Sequence, residues 1–127
     1  MDMERSANII IGGEEHTLIL TTKATREIAG RYGGLENLGE KLMKSENFEM
    51  ALGEIVWLIT LLANQSILIH NLKHKDSPKE PLTEETVELL TAPADLASYK
   101  AAITDALLKG TKRNVESEPD SKNVAVG

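Results

Sequence analysis

Two histidines, His70 and His74, stand four residues apart, a spacing that puts both imidazoles on one helical face and can present two nitrogens to one metal ion. A zinc site needs a third ligand in defined geometry, and the nearest acid, Asp76, falls in a segment bounded by Pro78 and Pro81. The pair therefore reads as two exposed imidazoles at a helix C-terminus, where positive charge is favoured. Neither they nor His16 has a recognisable nucleophile motif around it. The adjacent acids Glu14-Glu15 and Glu84-Glu85 sit at an expected turn tip and helix start, where solvation and capping account for them. Gly12-Gly13 and Gly33-Gly34 lack the following lysine and hydroxyl of a phosphate loop and do not lie in a βαβ unit. The expectation is a protein that is not an enzyme, with no catalytic residue, no metal ligand and no cofactor.

Charge and composition narrow the class further. Twenty Asp and Glu against 14 Lys and Arg give a net charge of −6, which repels a phosphate backbone. The densest cations, Lys109, Lys112 and Arg113, suit the negative end of a helix. A helix-turn-helix over Thr22 to Leu42 would put Glu36 and Glu40 into the groove with only Lys41 to offset them. With Tyr32, Phe48, Trp57 and Tyr99 as the sole aromatics, base stacking has little material, so no nucleic-acid partner is expected. The absence of cysteine removes disulfides, thiolate nucleophiles and Cys-ligated zinc, and Met1-Asp2-Met3-Glu4-Arg5 is acidic where a secretory signal is cationic. Cytoplasmic residence is the expectation.

The elements that would position any working residue follow from periodicity. Asn8 to Ile11 and His16 to Leu20 are β-branched runs around Gly12-Gly13-Glu14-Glu15, a β-hairpin whose Ile9, Ile11, Leu18 and Leu20 must cover something. Thr21-Thr22 caps a helix to about Tyr32, with Ala24, Ile28 and Tyr32 on one face, and Gly33-Gly34 ends it. Leu35, Leu38 and Leu42 predict a short second helix that Ser45 to Asn47 terminates. The longest periodic stretch runs from about Phe48 to Leu72 and carries no charge between Glu54 and Lys73. Lys73 to Pro81 reads as a linker, and Thr83 as the N-cap of a short helix burying Val87, Leu89 and Leu90. Pro93 opens a last helix along Leu96, Tyr99, Ile103 and Leu107, with Gly110 as its stop.

The fold class these elements predict is α+β: an N-terminal β-hairpin packed on a mostly helical domain of about five helices. One domain spans residues 1–113, and 114–127 form a disordered tail. The long helix has one stripe of Leu52, Ile55, Val56, Ile59 and Ala63 and a second of Trp57, Leu61, Leu68 and Leu72. It approaches the length needed to cross a bilayer, but Asn64, Gln65 and Ser66 near its middle are costly in hydrocarbon, so a buried helix is expected and no membrane association. The second stripe exceeds what a hairpin and short helices need for burial. Trp57, Leu61, Leu68 and Leu72 are the expected partner-binding residues, although a homo-oligomer would cover the same surface.

The order of parts resembles a known family. A hairpin, a helix ending Arg31-Tyr32-Gly33-Gly34-Leu35, a small leucine helix and a long apolar helix come first. Leu82-Thr83-Glu84-Glu85, Leu89-Leu90-Thr91-Ala92-Pro93-Ala94-Asp95-Leu96 and a helix ending Ala106-Leu107-Leu108-Lys109-Gly110 follow. Over about residues 8–112 the chain is similar to the tail assembly chaperones of long-tailed bacteriophages and prophages. The resemblance implies a protein that escorts the long tape measure protein until the tail tube polymerises around it, with the tube protein as a second candidate partner. It also implies that a longer product is often made by ribosomal frameshifting. The alternative reading is a non-catalytic helical adaptor or regulatory protein of a mobile element.

Overall fold

The computed structural model describes residues 6–44 and 48–116. The fold is α+β, as expected: strands β1 (Ser6–Ile11) and β2 (Glu14–Ile19) precede helices α1 (Thr22–Tyr32), α2 (Leu35–Lys44), α3 (Phe48–Lys73), α4 (Glu84–Leu90) and α5 (Pro93–Glu116).

The hairpin turn is tighter than the sequence reading. Ile11 pairs with Glu14, so only Gly12 and Gly13 lie between the strands, at φ of 58° and 85°. Two consecutive positive-φ residues match the right-handed twist of the strands, and glycine takes them without a Cβ clash. Glu14 and Glu15 thus open β2 instead of sitting on the turn tip. Alternation sends Ala7, Ile9, Ile11 and Leu18 inward, while Ile10 stays 55% exposed and Thr17 bonds Asn8 across the outer face at 2.9 Å. Leu20, just past the strand, is buried as expected, and so is Ile19, which points away from Leu18.

Helix α1 begins as Thr21 accepts from the Ala24 amide at 3.0 Å and ends at Gly33, whose φ of 88° lets its N–H reach the Ala29 carbonyl. In α2 Leu38 is fully buried; Ser45 to Asn47, its expected stop, lie outside the described residues. Helix α3 is apolar nearly all round and is enclosed accordingly, packing against β2, α5, α4 and α1. Its Leu58, Ile59, Leu62 and Ala63 are fully buried, each large side chain contributing about 1.5–3 kcal/mol relative to exposure. Residues Leu52–Lys73 are long and apolar enough to cross a membrane, while 44% of the most apolar window is buried inside the fold. The mid-helix polar groups are satisfied locally: Gln65 donates to the Leu61 carbonyl and accepts from Thr21, and Ser66 donates to the Ala63 carbonyl.

Two asparagines on α3 hold the segment that reads as a linker. Asn64 bonds both the N–H and the C=O of Leu82, at 2.7 and 2.9 Å, and Asn71 does the same to Lys79, at 2.8 and 3.0 Å. Seven residues apart, they lie two turns along one face, so the chain from Lys79 to Leu82 runs back against the helix. Thr83 then caps α4 through the Thr86 amide as expected, but Val87 alone of the three expected apolar residues is buried. Leu89 and Leu90 are 77% and 51% exposed, because seven residues offer one narrow inward face.

Helix α5 does not stop at Gly110; it continues to Glu116. Gly110 is buried inside it, and a Cβ there would lie 2.7 Å from the Leu20 Cβ. The glycine serves close approach of helix and hairpin, not termination. Residues 114–116 of the expected tail belong to this helix, and 117–127 lie outside the described residues. A single buried cluster takes side chains from all seven elements, among them Ile9, Leu18, Ile28, Leu38, Val87 and Ile103.

Candidate functional site

Three of the four expected partner-binding residues converge. Trp57, Leu61 and Leu68 line one groove of about 220 Å³ on α3, walled by Lys23 and Glu27 of α1 and by Glu84 of α4. The fourth, Leu72, is not part of it; it stands 73% exposed one turn farther along. Leu61 is only 9% exposed and belongs to the core, so it forms the groove floor rather than an outward surface. Around the whole circumference of α3 the sequence is apolar, and periodicity could not separate floor from rim.

The tryptophan is held from one side by a cluster that sequence reading missed. Its ring meets Tyr32 edge-on at 6.0 Å, and the Arg31 guanidinium lies 4.3 Å from the ring centroid. Arg31 also pairs with Glu54 at 3.4 Å; Lys41 approaches the same carboxylate at 4.0 Å, and the Tyr32 hydroxyl donates to it. Burial works against the charged form of Glu54. The Tyr32 hydrogen bond, the Arg31 hydrogen bond and charge, and the Lys41 charge outweigh it and hold the carboxyl below its ordinary range. Burial, and then the bond to Glu54, push the Tyr32 hydroxyl well above its ordinary value. Arg31 and Tyr32 precede the glycine pair that ends α1, so the helix stop presents both to α3; no spacing in the sequence pairs them with Glu54.

Three polar side chains of the groove are already engaged, while the Trp57 indole N–H makes no hydrogen bond among the described residues. Thr60 donates to the Val56 carbonyl at 2.8 Å, Asn64 is bonded to Leu82, and Gln65 has Leu61 and Thr21. Lys23 is paired with Glu27 at 3.1 Å, and Glu84 makes no ion pair among the described residues. Chemically, the groove can take apolar surface and one cation; it has no arrangement of nucleophile and base.

A second depression, of about 730 Å³, lies between β1 and α5 and is lined by Ile10, Leu90, Tyr99 and Ala102. Its Tyr99 hydroxyl donates to the Ile10 carbonyl. The histidine pair stacks, with ring centroids 4.5 Å apart, and His70 Nε2 lies 3.1 Å from the Ser77 carbonyl. Among the described residues no group of three or more His, Cys, Asp or Glu is placed to hold a metal ion. Compared with protein-family models, with curated proteins and with solved structures, the chain matches none.

Proposed function

We propose that this chain is a tail assembly chaperone of a long-tailed bacteriophage or prophage, a cytoplasmic, non-catalytic protein that binds the tape measure protein during tail assembly. The tail tube protein is the second candidate partner. The observation that carries the reading is the Trp57–Leu61–Leu68 groove: apolar surface left open on a helix that is otherwise largely covered by β2, α4 and α5. A tape measure protein is long and helical, and each copy of this chain can cover one large apolar side chain on the exposed stripe of such a helix, so that several copies together shield it. The order of hairpin and helices agrees with the order on which the family resemblance rests.

The test is co-expression with the tape measure protein of the phage or prophage that encodes this chain. The chaperone reading expects the tape measure protein to become soluble and to co-elute, and Leu68→Asp in this chain to abolish both while the chain still melts cooperatively. A tape measure protein equally insoluble with and without the chain, with no complex eluting, refutes it.

A further inference from the structure

We infer that the Trp57 groove selects a single bulky apolar side chain carried about one helical turn from a lysine or arginine, an inference that rests on the protein-binding reading above. Size sets the first half. A groove of about 220 Å³ has room for one branched or aromatic side chain, given that cavities of about 150 Å³ hold benzene, and it is too small for a helix face. Polar satisfaction sets its chemistry. Because the Thr60 hydroxyl proton and the Asn64 and Gln65 amides are each engaged internally, a polar occupant would give up its hydration for few new hydrogen bonds against a surface that is mainly Leu61, Leu68 and the Trp57 ring. An apolar one loses nothing and covers Leu61 and Leu68.

The rim sets the second half. Lys23 is paired with Glu27, which leaves Glu84 as the groove-edge charge without an ion pair among the described residues, offset only by the N-terminus of its own helix. Glu84 opens a helix that holds Glu85 and Glu88 and no cation, while Lys79 and Glu80 before it offset each other. One wall is therefore acidic. A cation beside the anchor gains attraction from it, whereas an acid is repelled. A second copy of this chain, itself at −6, is disfavoured by the same field.

Trp57 is the only tryptophan and lines the groove, so its fluorescence reports occupancy directly. The experiment selects displayed helical peptides on the full chain and measures synthesised winners by Trp57 emission. Winners should carry Leu, Ile, Met or Phe with Lys or Arg three or four residues away. Changing the anchor to alanine should weaken binding about thirty-fold, and changing the cation to glutamate about five-fold. On a Glu84→Lys protein the flank preference should reverse toward Asp and Glu, with Glu84→Gln falling between. The inference is overturned if no peptide binds, if winners lack the apolar anchor, if the flank preference survives Glu84→Lys, or if binding leaves Trp57 emission unchanged. It is equally overturned if Trp57 emission depends on protein concentration without peptide, which places a second copy in the groove. Acid-flanked winners together with a soluble tape measure complex would remove this inference and leave the chaperone reading standing; loss of the complex removes the reading itself.

Discussion

Replacing Gly110 by alanine sets two physical effects against each other, and the geometry decides the sign. Gly110 is interior to α5, where alanine is better than glycine by about 1 kcal/mol. The new methyl, however, would lie 2.7 Å from the Leu20 Cβ and 2.9 Å from its Cδ2. Leu20 cannot swing clear at its Cβ without moving its backbone, and the next residue, Thr21, is fixed as the cap of α1 and by its bond to Gln65 at 2.6 Å. Overpacking costs about 1–3 kcal/mol, and a Cβ–Cβ contact this short belongs at the upper end, about 2–3 kcal/mol, so after the propensity gain Gly110→Ala should be net destabilising by about 1–2 kcal/mol. The control is Gly30→Ala in α1, where a Cβ meets nothing within 4 Å and the propensity gain stands alone, up to about 1 kcal/mol of stabilisation. Chemical denaturation of both variants measures the difference, and thermal melts should separate them by roughly 8 °C or more. If Gly110→Ala is as stabilising as Gly30→Ala, the close packing of α5 on the hairpin is wrong.

The other stabilities follow from single contacts. Asn64→Ala removes both bonds to Leu82 and strands its backbone groups, and it should cost about 2–3 kcal/mol in urea unfolding; an unchanged midpoint would mean the 79–82 segment is not held by this residue. Because the folded pKa of Glu54 is lowered, its pairing with Arg31, Lys41 and Tyr32 stabilises above the ordinary carboxylate range and is lost as pH falls through the depressed value. Wild type should therefore lose stability below about pH 4 more steeply than Glu54→Gln, and parallel stability-versus-pH curves would contradict this. Ile59→Asp puts an unpaired charge at a fully buried position of α3 and should abolish cooperative folding, which circular dichroism and melting will show.

How much of this was legible depended on whether the signal was local. The α1 caps were, because a threonine hydroxyl and a positive-φ glycine act on their own neighbourhood. The glycines of the hairpin were read, but not that Glu14 already belongs to β2, since a two-residue and a four-residue turn differ only in pairing register. Gly110 was misread because a glycine between a leucine-rich helix and a basic, polar segment looks like a stop, whereas its reason is Leu20, far away in sequence. Asn64 and Asn71 gave no hint of their partners, as an amide that mimics a strand backbone can bond any extended segment. Of the candidate site, the residue types Trp57, Leu61 and Leu68 were legible, while their division into wall and floor was not.

That division changes how the site must be probed. Sequence reasoning places Trp57 among the partner-binding residues, but the ring is half-buried, packed on Tyr32 and covered by Arg31, which is tied to Glu54. Truncating it removes an edge-on aromatic contact and a cation–π contact, each worth about 0.5–1.5 kcal/mol beyond the lost burial, so a binding defect in Trp57→Ala would be mixed with a folding defect. Leu61 is worse, since it is core. Leu68 is half-buried and lines the groove without appearing in the central cluster, and Glu84 is exposed on the rim, so changes at these two act on the groove with least effect on the fold. A helix apolar on every side needs this distinction: most of its described surface supports folding, and the strip between α1 and α4 is the open part that brings Trp57, Leu61 and Leu68 together.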